Sequence, residues 1–548
     1  MPNYQRDYAW KDKNFKDLWE DLEEAIGYNK KGQGHFIGIM AVAKNEYNKK
    51  LYDIIDGQQR TTTIFMLLHV LANEQNEKDK QEARKYLYQK GELKLEVASQ
   101  NQSFFKALLE AAEKGNISHC EKDADTEGKQ NLFEVLKAIL DKVSKLNKEE
   151  VNERLEMLLE MVLMRLEEPD PGRAIRTFQS VNDRGVPLLL LDKLKSLLIY
   201  YSNTFCNGKR GLDQFINDHF GEIFKIFAKI KKSNHISTNF DEGDIFRYHA
   251  GSQKFDGIDF LGYYTTSTDN TYEQLKDKLK EVRKGKLKSF IQSYVSDLKN
   301  FYQAFLDLLN EIDTNPTTFK AMLINKINPL FFNSLIRLKI NNELDDETLK
   351  LFTKTDIVFF RVGRNMRANA YNLINEYLQK GKEGLKSKMI AQCRNDIGQA
   401  SWELVKNAFN SPCFHYIFFE KNCQEIGLVD LKKLIRGKQF SQEKEHIIPI
   451  NLLELDNEIE IQKLGFEGKK DLEDYIETYG NLISLEKSLN RKANNKDLYG
   501  KDEIYKNSEI HFNRRFNVKG FNKKALIKRN DEMREWLINT FFKDFATQ

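Results

Sequence analysis

The sequence predicts an α+β protein that is predominantly helical, with short β-strands near both ends of the chain. Stretches rich in Leu, Ile, Lys and Glu, with only 8 prolines in 548 residues, favour helices. Apolar runs bounded by turn residues, near 35–55 and 443–485, favour the strands. The chain is too long for one hydrophobic core, and its hydrophobic fraction of 40% can fill several.

Three domains are predicted, at 1–200, 201–400 and 401–548. In the first, strands at His35–Val42 and Leu51–Ile55 precede an Asp-Gly turn and a helix from about Thr61. The middle segment shows helical periodicity and no chemical motif. The last segment contains the richest set of polar motifs, so we expect its chemistry to lie there.

Composition excludes several classes of protein. The net charge of +4 provides no global attraction for a polyanion, so any nucleic-acid surface must be local. The five cysteines form no close pair, which argues against a zinc–cysteine site and suits a reducing cytoplasm. No apolar run is long enough to span a membrane, and the first residues resemble no secretion signal. We therefore expect a cytoplasmic protein.

Three motifs follow one another in the last segment: Glu445-His446-Ile447-Ile448-Pro449, Gly480-Asn481-Leu482 and Leu489-Asn490-Arg491-Lys492. They predict a strand at Glu443–Ile448, a second at Asn481–Leu485 and a helix from Ser488. Phosphodiester hydrolysis needs a base, a cation and alignment of the reacting groups. A strand–strand–helix unit carrying these residues meets those needs.

Each polar residue of this unit has an expected role. His446 is the expected general base, and Asn481 is expected to hold the adjoining loop by backbone hydrogen bonds. Glu445 and Asn490 are expected to offer oxygens to a hard cation, Mg²⁺ or Mn²⁺. Lys492 and Lys501 are expected to contact phosphate. The structural alternative, a half-buried histidine in a strand with asparagines capping a helix, stays open on these residues alone.

The segment 511–530 is basic and contains no acidic residue. Three phenylalanines, Phe512, Phe516 and Phe521, are interleaved with its cations, which are Arg514, Arg515, Lys519, Lys523, Lys524, Lys528 and Arg529. A DNA backbone suits such a segment. An amphipathic segment that buries its phenylalanines is the alternative, and both hold together if the cations reach outward.

A second motif, Asp56-Gly57-Gln58-Gln59-Arg60, lies near the start of the chain. A cation at a helix start opposes the helix dipole, and a bound phosphate would resolve that conflict. Thr61 and the two threonines after it add hydroxyl groups for capping or phosphate contact. A capped helix after an Asp-Gly turn is an equally good reading of this segment by itself.

The C-terminal motifs resemble the HNH nuclease superfamily with its ββα-metal fold, and within it the C-terminal domain of GmrSD-type modification-dependent (type IV) restriction enzymes. Lys501, Tyr505 and Ser508 match the tail that follows the helix in that family. Many HNH proteins have Asp where this chain has Glu445, so ligation by Glu445 is less secure than ligation by Asn490.

The N-terminal motifs, Tyr4-Gln5-Arg6 and Asp56–Arg60, resemble the ParB-like α/β domain of GmrSD-type proteins, including SspE-like relatives. That resemblance implies a nucleotide site built from Tyr4, Gln5, Arg6, Asp56, Gly57, Gln58, Gln59 and Arg60. Its nucleotide (GTP, UTP, CTP or ATP) is unresolved, and no Walker-type motif is present. A further family motif spans Phe178–Leu188 and continues at Asp192 and Lys195. Relatives usually have a longer segment before Tyr4.

The resemblance implies a nucleotide-dependent DNA endonuclease that cleaves modified phage DNA in antiviral defence, and a homo-oligomer is compatible with it. The alternative is a non-catalytic, nucleotide-gated switch that grips DNA without cutting it. An RNA-cutting toxin is a third reading, because nothing here separates DNA from RNA. The DNA modification sensed, the preferred nucleotide, and nicking versus double-strand cutting are not encoded in these motifs.

Overall fold

A computed structural model of the chain forms two compact units. The first comprises Met1–Lys231, Asp241–Gly243 and Ser267–Tyr302, and the second comprises Lys232–Phe240, Asp244–Thr266 and Gln303–Gln548. The structure describes all residues except 1–6, 29–35, 46–47, 49, 169–189, 207–209, 238, 251, 253, 256–257, 260–266, 283, 363–366, 399–412, 425, 437–438, 455–456, 495 and 546–548. Residues of the predicted middle domain, 201–400, thus fall in both units.

The predicted fold class is confirmed, since helices dominate and the sheets are small. The described helices are α1 (Asp12–Tyr28), α2 (Gln58–Asn73), α3 (Glu77–Leu87), α4 (Ser99–Glu113), α5 (Glu127–Val143), α6 (Lys148–Glu160), α7 (Leu190–Phe205), α8 (Arg210–Lys232), α9 (Glu242–Ala250), α10 (Thr268–Glu281), α11 (Leu287–Glu311), α12 (Pro316–Phe319), α13 (Phe332–Ile340), α14 (Asp346–Asp356), α15 (Arg367–Gly398), α16 (Phe414–Asn422), α17 (Leu428–Lys433), α18 (Glu458–Lys463), α19 (Lys469–Ile476), α20 (Lys487–Ala493), α21 (Leu498–Tyr505), α22 (His511–Arg515) and α23 (Lys523–Trp536). None of these helices is long and apolar enough to cross a membrane.

The strands form one three-stranded sheet and several two-stranded ribbons. They are β1 (Phe36–Lys44), β2 (Tyr52–Asp56), β3 (Tyr88–Gln89), β4 (Glu92–Leu93), β5 (Val162–Glu168), β6 (Lys254–Phe255), β7 (Ile258–Asp259), β8 (Ile435–Arg436), β9 (Gln439–Phe440), β10 (Gln442–His446) and β11 (Leu482–Glu486). The order in the larger sheet is β2-β1-β5, with β1 antiparallel to β2 and parallel to β5. The sequence did not predict β5, because its short apolar run directly follows helix α6.

Helix α2 anchors the core of the first unit. Its apolar side chains, such as Phe65, Met66 and Leu71, are buried among those of α4, α5 and α6. The helix begins at Gln58 and not near Thr61 as predicted. Gly57 precedes it with φ 86°, a left-handed conformation that glycine adopts without strain. The residues Gln58, Gln59 and Arg60 therefore form the first helical turn.

The second compact unit contains the predicted strand–strand–helix unit, with its three elements in the predicted order. Strands β10 and β11 pair antiparallel, with His446 opposite Leu482, and α20 packs against both. The observed boundaries differ from the predicted ones by one or two residues. This arrangement places the three C-terminal motifs within one small region.

Candidate functional site

His446 is the last residue of β10, and its side chain is 17% exposed. Its Nε2 lies 2.9 Å from Oε1 of Glu477. An ionised carboxylate only accepts hydrogen bonds, so Nε2 carries the proton and Nδ1 presents a lone pair. Burial lowers the pKa of His446 below 6.5, although Glu477 opposes this shift. The imidazole is therefore neutral near pH 7 and able to accept a proton.

A buried ion pair between Lys501 and Glu445, here called the buried ion pair, holds the other side of this strand end in place. Nζ of Lys501 lies 2.6 Å from Oε1 of Glu445, with side-chain exposures of 2% and 6%. Lys501 also donates to the carbonyl of His446, and the Tyr505 hydroxyl donates to Glu445 at 3.1 Å. Burial lowers the pKa of Lys501 and raises that of Tyr505.

The buried ion pair changes two expectations from the sequence. The Glu445 carboxylate is engaged by Lys501 and Tyr505, which leaves it poorly placed to be a direct metal ligand. Lys501 is 1% exposed and cannot reach a DNA phosphate without leaving Glu445. Both residues act in this structure on the backbone that carries His446. The third residue of the predicted tail, Ser508, donates to the Glu486 carboxylate on β11 at 2.8 Å.

Asn481 is completely buried and holds the loop after β10. Its Oδ1 accepts from the Ile448 amide at 2.8 Å, and its Nδ2 donates to the carbonyls of Ile448 and Ile476 at 3.1 and 2.9 Å. Its own carbonyl accepts from Ile447 at 2.8 Å. These are backbone hydrogen bonds of the kind predicted for Asn481, and they join the loop after His446 to the end of α19, just before Glu477.

Asn490 lies on α20 and contacts a different carboxylate. Its Nδ2 donates to Oε2 of Glu443 at 3.0 Å, and Lys487 lies 3.3 Å from the other oxygen of Glu443. Side chains alternate along β10, so Glu443 shares a face with Glu445, while Lys444 and His446 share the other. Lys444 and His446 indeed both approach Glu477. Asn490 thus contacts Glu443 and His446 contacts Glu477, and the convergence of His446 and Asn490 on one ion stays a prediction.

Oxygen donors beside Asn490 form a candidate cation site. Among the described residues, no three His, Cys, Asp or Glu side chains are arranged to hold a metal. Glu443 and Asn490 supply two oxygen-bearing groups in direct contact. Such a pair suits Mg²⁺, which prefers oxygen and keeps several of its waters. In its chemistry this donor set fits the expected cation, with Glu443 in place of Glu445.

Arg529 is half-buried, and its guanidinium is used within the fold. It donates to the carbonyls of Gly480 and Leu482 at 2.6 and 3.2 Å, on either side of Asn481. Its guanidinium lies over the Phe516 ring at 4.8 Å. A side chain at Gly480 would meet the Leu526 carbonyl at 2.3 Å, so this position requires glycine. Arg529 thus positions the Gly-Asn-Leu motif.

The other predicted DNA contacts divide into two groups. Lys492, Lys524, Arg514 and Arg515 are exposed. Lys523 is held by Asp471, with Nζ 2.6 Å from the carboxylate, and it also covers the Phe466 ring. The basic segment therefore presents fewer free cations than its sequence suggests, because part of its charge is used within the fold.

In the first unit, Gln59 organises the segment that precedes α1. Its Oε1 accepts from the Ala9 amide at 2.7 Å, and its Nε2 donates to the Asp7 carbonyl at 3.1 Å. Gln58 and Gln59 are 4% and 7% exposed, so both face the interior. The small cavity beside them, of about 10 Å³, has room for about one water molecule and none for a nucleotide.

Arg60 lies on the outer side of the same helical turn and is half-buried. A Cβ built on Gly38 would come within 2.5 Å of the Arg60 guanidinium, and Gly38 has φ 114°. The hydroxyls of Thr61, Thr62 and Thr63 donate to carbonyls four residues earlier, so those protons are used within the helix. Asp56 and Gly57 are half-buried beside Arg60.

Several predicted residues lie outside the described part of the chain. They are Tyr4, Gln5, Arg6 and the motif Phe178–Leu188. The continuation of that motif is described: Lys195 is completely buried, and burial lowers its pKa while the carboxylates of Asp7 and Asp192 oppose the shift. The fold thus brings Lys195 close to the segment that Gln59 holds.

Sequence reasoning missed Glu443 and Glu477 as partners of the predicted residues. Glu443 precedes His446 by three positions. Its sequence context does not distinguish it from the other acidic residues, and only the folded structure shows its contact with Asn490. Glu477 follows His446 by 31 residues, and no spacing rule connects them. The period of two along β10 could have indicated that Glu443 and Glu445 share a face of the strand.

Two family models match the chain. The N-terminal domain of GmrSD restriction endonucleases matches residues 1–199, and the C-terminal domain of GmrSD restriction endonucleases matches residues 392–536. No curated protein matches the sequence. The two matches cover the segments that contain the Gln-Gln-Arg turn and the strand–strand–helix unit, in the order expected for that family.

Proposed function

The chain belongs to the GmrSD restriction endonuclease family, and from this premise we propose that it cleaves modified phage DNA by an HNH-type hydrolysis centred on His446, regulated by a nucleotide at its N-terminal domain. The observation that carries the proposal is the placement of His446 at a strand end. Its Nε2 hydrogen-bonds to Glu477, and its backbone is held in place by buried groups.

His446 acts in this proposal as the general base. The hydrogen bond from Nε2 to Glu477 orients the ring and leaves Nδ1 free to take a proton from a water molecule. The lowered pKa keeps that nitrogen unprotonated at neutral pH. Lys501 and Asn481 hold the backbone on both sides, so the position of the imidazole is preorganised.

Mg²⁺ or Mn²⁺ would be held by the oxygens of Asn490 and Glu443. When bound, such an ion supplies positive charge that stabilises the phosphate and the leaving oxygen. Replacement of Asn490 by alanine is then expected to raise the metal concentration needed for half-maximal cleavage. Lys487, which already approaches Glu443, compensates the charge of that carboxylate in the absence of a cation.

The nucleotide would bind on the outer side of the first turn of α2, and not between Gln58 and Gln59. Arg60 supplies the cation for its phosphates, and Gly38 allows the guanidinium to lie close to the β1 backbone. Gln59 maintains the segment that begins at Asp7. The interior position of both glutamines supports a structural role for them in this site.

A cleavage assay tests the proposal. Purified protein is incubated with modified and unmodified phage DNA, a divalent metal and each of the four nucleotides in turn. We expect the wild type to cut modified DNA in the presence of one nucleotide. His446→Ala is expected to lose roughly 100-fold or more in rate, the usual contribution of a general base. His119→Ala, which changes an exposed histidine in the first unit, is the matched control.

Undiminished cleavage by His446→Ala contradicts the assignment of the base. Tight DNA binding by the wild type without any cut strand, under every combination of metal and nucleotide, favours the non-catalytic switch instead. Cleavage of RNA in preference to DNA would replace the substrate class.

A further inference from the structure

A cleft of about 850 Å³ lies in the second unit between the α16–α17 region and α22 with the residues after it. We call it the basic cleft and define it by Lys421, Lys433, Arg514, Arg515 and Phe516. Among its described lining residues there is no member of the His446 site, so the proposed catalytic chemistry leaves the cleft unused.

Charge in the basic cleft is not balanced. Four cationic and two anionic side chains line it, and one cation, Lys433, is paired with Asp430 at 2.8 Å. Within the described part of the chain, no carboxylate lies within the 4.0 Å ion-pair distance of Lys421, Arg514 or Arg515. Arg514 uses one nitrogen to donate to the Ser508 carbonyl at 2.7 Å, which holds it in place. The cleft is therefore suited to an anion.

An aromatic ring lies next to these cations. Phe516 is half-buried, lines the cleft and is held by Phe512 and Phe521 at centroid distances of 5.9 and 5.6 Å. Arg529 covers it at 4.8 Å. Fixed aromatic rings beside cations are the elements with which proteins bind unstacked nucleotides, through base stacking and phosphate contact.

The volume favours a small ligand over a double helix. Ligand sites of roughly 300–1,000 Å³ enclose molecules of nucleotide size. In a duplex the base faces are covered by neighbouring bases, so Phe516 could stack only on a base that has left the helix.

We propose that the basic cleft binds an unstacked nucleotide of a DNA strand, with its phosphates at Arg514 and Arg515 and its base against Phe516. This inference rests on the proposed DNA-cleaving function and adds a second contact with the substrate. The cleft holds this nucleotide outside the His446 site.

Binding of single-stranded DNA by the full-length protein tests this inference. Fluorescence anisotropy is measured in EDTA with a labelled oligothymidylate of about 12 nucleotides, within the usual site size. An abasic strand and a duplex of the same length are the comparison probes. The variants are Arg515→Ala and Phe516→Leu, and the control is Lys528→Ala, an exposed cation outside the cleft.

We expect Arg515→Ala to weaken binding of both single strands about tenfold and to reduce the slope of log K against log salt by about 0.7. Phe516→Leu is expected to weaken oligothymidylate binding about tenfold and to leave abasic binding unchanged, since only the base stacks. Lys528→Ala should remain close to the wild type. Arg515 is exposed, so its replacement tests the cleft without disturbing the fold.

Wild-type affinity of both variants for oligothymidylate overturns the inference, as does a loss no larger than that of Lys528→Ala. Duplex cleavage, measured separately in Mg²⁺, reports on the proposed function. A protein that cuts DNA but shows no effect of these variants lacks only the cleft role. A protein that needs Phe516 for binding but never cuts DNA retains the cleft role and loses the nuclease.

Discussion

Lys501 provides the sharpest test of the candidate site, because its two possible roles predict opposite results for Lys501→Met. One role is a contact with a DNA phosphate, and the other is the buried ion pair with Glu445. In the structure Lys501 lies 2.6 Å from Glu445, and both side chains are nearly inaccessible. With an effective dielectric constant of about 20, the attraction across that distance is about 6 kcal/mol before desolvation. Breaking a buried pair by removing one partner typically costs about 3–5 kcal/mol, because the other charge remains buried.

We therefore expect Lys501→Met to lower the melting temperature of the second unit by on the order of 10 °C, given about 2–4 °C per kcal/mol for a unit of this size. Cleavage should fall as well, since the carbonyl of His446 loses its donor. The salt dependence of DNA binding should not change. Scanning calorimetry and salt-titrated DNA binding measure the two effects.

Lys492→Met is the matched control, because Lys492 is exposed on the neighbouring helix α20. It should keep the melting temperature and reduce the salt slope by about 0.9 if it contacts a phosphate. The double variant Glu445→Gln, Lys501→Met should recover part of the lost stability, since no unpaired charge remains. If Lys501→Met melts within about 1 °C of the wild type and has a reduced salt slope, the stabilising role of the buried ion pair is wrong and Lys501 contacts a phosphate.

Three further predictions follow from the other contacts. The acidic limb of the pH profile of kcat/KM should have its midpoint below pH 6.5, because the base form of His446 is lost only as pH falls through its lowered pKa. Glu477→Gln should move this midpoint lower still, because it removes an interaction that raises the pKa of His446. A midpoint above pH 6.5, or a shift upward in the variant, would contradict this assignment. Asn481→Ala should destabilise the second unit by about 3 kcal/mol or more in urea unfolding, because three buried backbone groups lose their partners; a loss below about 1 kcal/mol would show that water replaces the side chain. Gly38→Ala should abolish nucleotide hydrolysis while sparing the fold of the second unit, because its Cβ would displace the Arg60 guanidinium; wild-type turnover would exclude Arg60 from the phosphate site.

Local sequence patterns predicted the elements of the candidate site with useful accuracy. The acid-His-apolar-apolar-Pro motif at Glu445–Pro449, the Gly-Asn-Leu motif and the polar start of α20 are short-range features, and the observed strands and helix lie within two residues of the expected positions. Asn481 could be predicted to bind backbone because an asparagine just before a strand can satisfy the polar groups of a neighbouring tight loop. The start of α2 was predicted less well, because its N-cap residue, Gly57, has no side chain that could mark the start of a helix.

Partner choice among charged residues could not be predicted in the same way. Glu443, Glu445 and Glu477 are equally plausible partners for His446, Asn490 and Lys501 in the sequence, and only the packing of α19, α20 and α21 assigns them. The same holds for the basic segment, where Arg529 is half-buried against Phe516 while Arg515 remains exposed. A cation count along the chain does not separate these two environments.

The sequence by itself determined the helical α+β class, the family, and the order of the polar motifs, because these depend on residue types at short spacings. The tertiary structure alone decided which carboxylate each polar group contacts and which cations reach solvent. Both depend on burial, which sets the cost of an unpaired charge and is defined only once distant segments pack together. The assignment of Lys501 to Glu445 across 56 residues is the clearest case.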